Sequence, residues 1–92
     1  MDLESFKKST APDSSFSPEL KALWYDLHGD WDKAHDQVDQ LDGKSAARVH
    51  AYLHRKEGDL WNADYWYRRA GERRPELSLD EEWEYLYQKY SQ

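Results

Sequence analysis

The spacing of apolar residues along the chain predicts helices. From residue 20 onward apolar positions recur three or four residues apart, as they do on one face of an α-helix. The alternation of apolar and polar residues that marks a half-buried strand never persists. The sequence therefore predicts an all-α fold of five helices, which cover about residues 17–28, 31–41, 45–57, 60–70 and 79–90.

Residues suited to helix ends support these boundaries. Ser17 precedes Pro18, and this order is typical of an N-cap followed by the first helical position. Ser78 precedes Glu81 by three residues, which predicts a capping box at the start of the last helix. Ser45 is the expected N-cap of the third helix.

One short pattern occurs twice, 29 residues apart. Each copy has a Gly-Asp pair that ends one helix and caps the next, followed by an apolar stripe at helical spacing. The copies are Gly29-Asp30-Trp31 with Ala34, Val38 and Leu41, and Gly58-Asp59-Leu60 with Ala63, Tyr67 and Ala70. The repetition predicts two stacked helical hairpins, with the fifth helix as a C-terminal cap.

These residues resemble a tetratricopeptide-type helical hairpin repeat over roughly residues 18–75. Pro75 follows Ala70 by five residues, where that family places its closing proline. The period of 29 is shorter than the family's roughly 34 residues, and the family's early Trp is replaced by Pro18 and Ala47. The resemblance implies a groove that captures an extended acidic peptide or a C-terminal carboxylate. Residues 50–71 also resemble stretches of small uncharacterised bacterial proteins, which implies no function.

The first sixteen residues differ in composition from the rest. They are rich in Ser, Thr, Lys, Asp and Pro and contain isolated Phe6 and Phe16. We predict a disordered leader over residues 1–16 and a single helical domain over residues 17–92.

Charge and cysteine content limit the classes of function. The net charge is −6, yet residues 44–74 contain eight bases and four acids, a local net charge of +4. An acidic chain repels phosphate at long range, so we do not expect nucleic acid as a partner. There is no cysteine, which suits a cytoplasmic protein, and no apolar run is long enough to span a membrane. We predict no cofactor.

The basic segment supplies the first set of predicted partner-binding residues. Arg48, Tyr52 and Arg55 are spaced to line one outward face of the third helix, beside Lys56. The tetratricopeptide resemblance implies that this face lines a groove, where arginine forks bind carboxylates. The alternative is a solvated basic face without a partner.

The fourth predicted helix supplies the second set of predicted partner-binding residues. Trp61, Tyr65 and Arg68 share one side, with Arg69 beside them, and form an expected exposed aromatic-arginine patch. Asp32, Asp36 and Asp39 occupy the equivalent face one repeat earlier, so head-to-tail self-association is a further expectation. We therefore predict a non-catalytic protein- or peptide-binding module.

The histidines suggest an alternative function. His50 and His54 lie one helical turn apart, and Asp64 occupies the next helix. Together they predict a pocket for a small enzyme or an anion-binding protein. No nucleophile or phosphate-binding loop accompanies them, so the sequence favours a structural role, with no metal site.

Overall fold

The computed structural model describes residues 2–91. Six α-helices follow one another: α1 Leu3–Lys8, α2 Pro18–Leu27, α3 Trp31–Val38, α4 Lys44–Glu57, α5 Leu60–Arg69 and α6 Leu79–Tyr90. Residues 2–91 contain no strand, which confirms the all-α class. Residues 1 and 92, included in the domain predictions, lie outside the described chain.

The prediction of five helices is wrong, because a sixth helix, α1, lies where a disordered leader was expected. Asp2 caps α1 by accepting a hydrogen bond from the backbone N–H of Ser5 at 2.8 Å. Phe6 is 1% exposed and stacks on Phe16 with ring centroids 5.5 Å apart. Burial of the Phe6 ring stabilises the docking of α1 against the rest of the fold, although most of the first sixteen residues are polar.

The capping signals read from the sequence largely hold. The side chains of Ser17, Asp30 and Asp59 each accept a backbone hydrogen bond in the first turn of the following helix. Both hydrogen bonds of the Ser78–Glu81 capping box form.

The third predicted helix begins earlier than expected. Gly43, not Ser45, is the N-cap of α4, and no side chain caps this end. Gly58 ends α4 at a φ of 92°, a left-handed conformation that glycine adopts without the steric cost of a Cβ.

Helix α4 is the centre of the molecule. It packs against α2, α3, α5 and α6, and all its residues from position 46 to 54 are buried. Helices α2 and α3 form one closely packed pair, and α4 and α5 form another. Helix α6 packs against α2 and α4 and completes the main core with Trp83, Leu86 and Tyr87.

Two leucines predicted to lie in the core are exposed. Helix α3 ends at Val38, so Leu41 lies beyond it and 41% of its surface is exposed. Leu60 is the first residue of α5, and 44% of its surface is exposed. Within residues 2–91, no helix has the length and apolar character needed to cross a membrane.

Candidate functional site

The residues predicted to line a basic groove are bound instead to carboxylates of the same chain. Arg48 is 2% exposed, and its Nη1 donates to Oε2 of Glu82 at 2.6 Å. Its Nε donates to Glu72 at 3.0 Å. Arg55 donates through Nη1 to the other oxygen of Glu82 at 2.6 Å, and through Nη2 to the carbonyl of Leu77.

The other two predicted groove residues share a second carboxylate. Tyr52 is buried and its hydroxyl donates to Asp26 at 2.9 Å. The ammonium group of Lys56 donates to the second oxygen of Asp26, also at 2.9 Å. Asp26 belongs to α2, so these bonds tie α4 to α2.

The expectation that Arg48 and Tyr52 face outward is therefore wrong. Helix α6 lies against α4 and brings the fully buried Glu82 to the face where a partner carboxylate was expected. Carboxylates of this chain thus bind the two arginines that were predicted to bind a partner's carboxylates.

Two buried acids that sequence reasoning missed could have been found from helical spacing. Glu82 lies three residues after Leu79 and four before Leu86, so it shares their core-facing side. Asp26 lies three residues after Leu23 and four after Ala22, so it shares the side of α2 on which these two residues are buried. A carboxylate on an apolar stripe predicts a buried base as its partner.

The buried network shifts the pKa values of its members. Desolvation opposes the charge on Arg48, but the carboxylates of Glu82 and Glu72 outweigh it and raise the pKa of the guanidinium. Burial, followed by the neighbouring carboxylates, raises the pKa of both Tyr52 and Tyr67 well above the usual value. Each phenol therefore stays a neutral hydrogen-bond donor.

The aromatic-arginine patch of Trp61, Tyr65, Arg68 and Arg69 is exposed, as expected. Trp61 is 78% exposed and Tyr65 is 38% exposed, and both arginines are exposed. Arg69 donates to the Tyr65 hydroxyl at 3.2 Å and lies 5.3 Å from the ring centroid of Trp66. Trp66 itself is partly buried against the core, which leaves the four patch residues on the outer side of α5.

The predicted pocket of His50, His54 and Asp64 does not form as one unit. Asp64 pairs with Arg74 at 3.3 Å and lines a surface depression of about 370 Å³ with Arg68 and Arg73. The partner of Asp64 is thus Arg74 in the connector after α5, and not a histidine of α4.

His50 and His54 have a different third member. Nε2 of His35 lies 3.0 Å from Nε2 of His50, and the rings of His50 and His54 stack with centroids 4.8 Å apart. We call His35, His50 and His54 the histidine cluster. Burial and then the neighbouring His35 and His54 lower the pKa of His50 to about 3, so its imidazole is neutral at neutral pH.

No protein-family profile, no curated protein and no solved structure matches this chain.

Proposed function

We propose that this chain is a non-catalytic protein-binding module that binds an acidic segment of another protein through the aromatic-arginine patch. The observation that carries the proposal is the 78% exposure of Trp61. A solvent-exposed indole gains free energy when a partner covers its apolar surface. Tryptophan and arginine are also enriched among the residues that contribute most of the binding free energy at protein interfaces.

The charge of the patch favours an acidic occupant. Among residues 2–91, the guanidinium groups of Arg68 and Arg69 have no carboxylate within ion-pair distance. Arg48 and Arg55, by contrast, are already paired with Glu82, and Arg48 is paired with Glu72 as well. Two exposed guanidinium groups beside aromatic rings suit a partner segment in which carboxylates flank an apolar side chain.

The proposal retains the tetratricopeptide-like arrangement in altered form. We interpret α2 with α3 and α4 with α5 as the two stacked hairpins, with α6 as the capping helix. In this arrangement Glu82 of α6 occupies the basic groove, so binding moves to the outer face of α5. A cytoplasmic location is part of the same proposal and suits a chain without cysteine.

The test selects binding peptides from a displayed library of random peptides and measures their affinity for purified variants. The patch variant is Trp61→Ser with Arg68→Ser. The matched control is Tyr85→Ser with Lys89→Ser, which removes an exposed ring and a nearby cation from α6. We expect acidic peptides to be enriched, and the patch variant alone to lose about 30-fold or more in affinity.

Two outcomes would overturn this proposal. One is that selected peptides carry no excess of acid, or bind the patch variant as tightly as wild type. The other is that wild type sediments as a dimer at low salt and the patch variant as a monomer. The occupant would then be a second copy of this chain, whose α3 exposes Asp32 and Asp36.

A further inference from the structure

Three of the four histidines of this chain meet where α3 packs on α4. His35 belongs to α3, and His50 and His54 lie one turn apart on α4. One ring nitrogen from each lies within 4.8 Å of those of the other two. Such convergence is not a consequence of helical periodicity alone, because the third ring comes from a different helix.

We propose that the histidine cluster binds one divalent transition-metal ion of the Zn²⁺ class, with the three imidazoles as ligands. Imidazole nitrogen suits Zn²⁺, Cu²⁺ and Ni²⁺, whereas Mg²⁺ and Ca²⁺ prefer oxygen ligands. Three protein ligands leave a fourth tetrahedral position for water.

The distances suit such an ion. Two nitrogens bound to tetrahedral zinc at 2.0–2.1 Å stand about 3.3 Å apart. The Nε2 atoms of His35 and His50 are 3.0 Å apart, close to this separation. The three ring nitrogens all lie within 4.8 Å of one another, so side-chain movements of at most about 1.5 Å bring every pair to the separation expected around zinc.

Carboxylates lie beside the outward nitrogens of two of these rings. Nδ1 of His54 donates to Glu57 at 2.7 Å, which leaves the lone pair of the neutral ring on Nε2. Nδ1 of His35 lies 3.7 Å from Asp39. A carboxylate on the outer nitrogen fixes the orientation of a metal-binding imidazole and increases its basicity.

The protein alone does not satisfy the cluster. His50 is 3% exposed, and its Nδ1 has no hydrogen-bond partner within the described chain. His35 and His50 also face each other through Nε2, and where both of these atoms carry a lone pair neither ring donates to the other. A cation between the two Nε2 atoms accepts both lone pairs, and Nδ1 of His50 then carries the proton of its ring.

Two indoles enclose the cluster. Trp66 stacks on His50 with centroids 4.0 Å apart, and Trp31 stacks on His35 at 4.9 Å. His35 is 23% exposed, so the ion enters and leaves from its side. Since the ligands join α3 to α4, binding would stabilise the contact between the two hairpins.

The experiment measures Zn²⁺ binding to tag-free protein by equilibrium dialysis with elemental analysis, beside thermal unfolding in chelator and in Zn²⁺. The variants are His35→Gln and His54→Gln. The matched control is His28→Gln, which changes the one histidine outside the cluster. Circular dichroism verifies that every variant is folded.

We expect wild type and His28→Gln to bind one Zn²⁺ per chain and each cluster variant to lose about 100-fold or more in affinity. Free Zn²⁺ at a hundred times the dissociation constant should raise the Tm of wild type by on the order of 10 °C. The proposal is overturned if wild type binds no Zn²⁺, or if His35→Gln and His54→Gln bind it as tightly as wild type does.

Discussion

Arg48 and Glu82 form an ion pair that is almost fully withdrawn from water. The exposed fractions of the two side chains are 2% and 0%, and their charged atoms are 2.6 Å apart. Glu82 also accepts from Arg55 and from the hydroxyl of Tyr67, so its two oxygens are satisfied by three donors from α4 and α5. Burial of charge is tolerated here because the carboxylate and the Arg48 guanidinium are held by several partners.

This pair gives a prediction at the scale of one residue. Arg48→Ala should lower the free energy of unfolding by about 3 kcal/mol, because it leaves part of a buried carboxylate without its charge partner. Urea denaturation followed by circular dichroism measures this. The matched change Arg68→Ala, at an exposed arginine of the patch, should stay within about 0.5 kcal/mol of wild type. Equal effects of the two substitutions would contradict the buried network.

The sequence could predict that these residues are charged and lie on a helix, but not which of them are buried. Arg48 and Arg68 have the same side chain, and each lies within a predicted helix directly after a hydrophobic residue, Ala47 or Tyr67. Arg48 is buried and Arg68 is exposed, and the burial of Arg48 depends on α6, whose Glu82 lies 34 residues from Arg48 along the chain. The residues near Arg48 in the sequence cannot predict a contact with a residue so far along the chain.

Among the elements, α1 depends most on its tertiary contacts. A helix of six residues is not stable alone, because nucleation costs more than so few hydrogen bonds return. Phe6 packs edge-on against Tyr87 with centroids 4.9 Å apart and lies 6.0 Å from Trp83. The indole of Trp24 also donates to Ser9, just after α1, at 2.8 Å.

Removing the Phe6 ring should therefore release α1 and weaken the core. We expect Phe6→Ala to lower the free energy of unfolding by about 3–4 kcal/mol, the usual cost of deleting a buried phenyl ring. Thermal and urea unfolding measure it. The control is Leu27→Ala, at an exposed leucine near the end of α2. If Phe6→Ala is no more destabilising than this control, α1 contributes little to the fold.

At the scale of the element, the sequence predicts most of the helices after residue 17 and their N-caps. Caps and apolar spacing act within one or two turns, so Ser17, Asp30, Asp59 and Ser78 could all be located correctly. The same rules missed α1 because a polar segment with one phenylalanine has no repeating pattern. Its order depends on the aromatic core built by α6.

In the whole molecule, four buried or partly buried tyrosines on three helices make the free energy of unfolding depend on pH. The pKa values of Tyr52, Tyr67, Tyr87 and Tyr90 are all raised, chiefly by burial, and that of Tyr90 reaches about 12. An unfolded tyrosine ionises near pH 10. Between these values the unfolded chain has lost protons that the folded chain keeps, so the free energy of unfolding falls as pH rises.

We therefore expect the stability from these phenols to be complete below about pH 10 and to decline through pH 12. Urea unfolding at a series of alkaline pH values measures the decline. Tyr90→Phe should make it shallower, because one group with a raised pKa is removed. Tyr85→Phe, at an exposed position of α6, is the control. A decline that is the same in wild type and Tyr90→Phe would contradict the prediction.

The sequence by itself determined the helical class, the N-caps Ser17, Asp30, Asp59 and Ser78, and the exposed patch of Trp61, Tyr65, Arg68 and Arg69. These features depend on short-range spacing and on the chemistry of single side chains. Only the tertiary structure decided that Arg48 and Arg55 bind Glu82, and that His35 joins His50 and His54. The physical reason is that each contact joins residues on different helices, whose approach is set by packing of the whole core and not by the local periodicity of either helix.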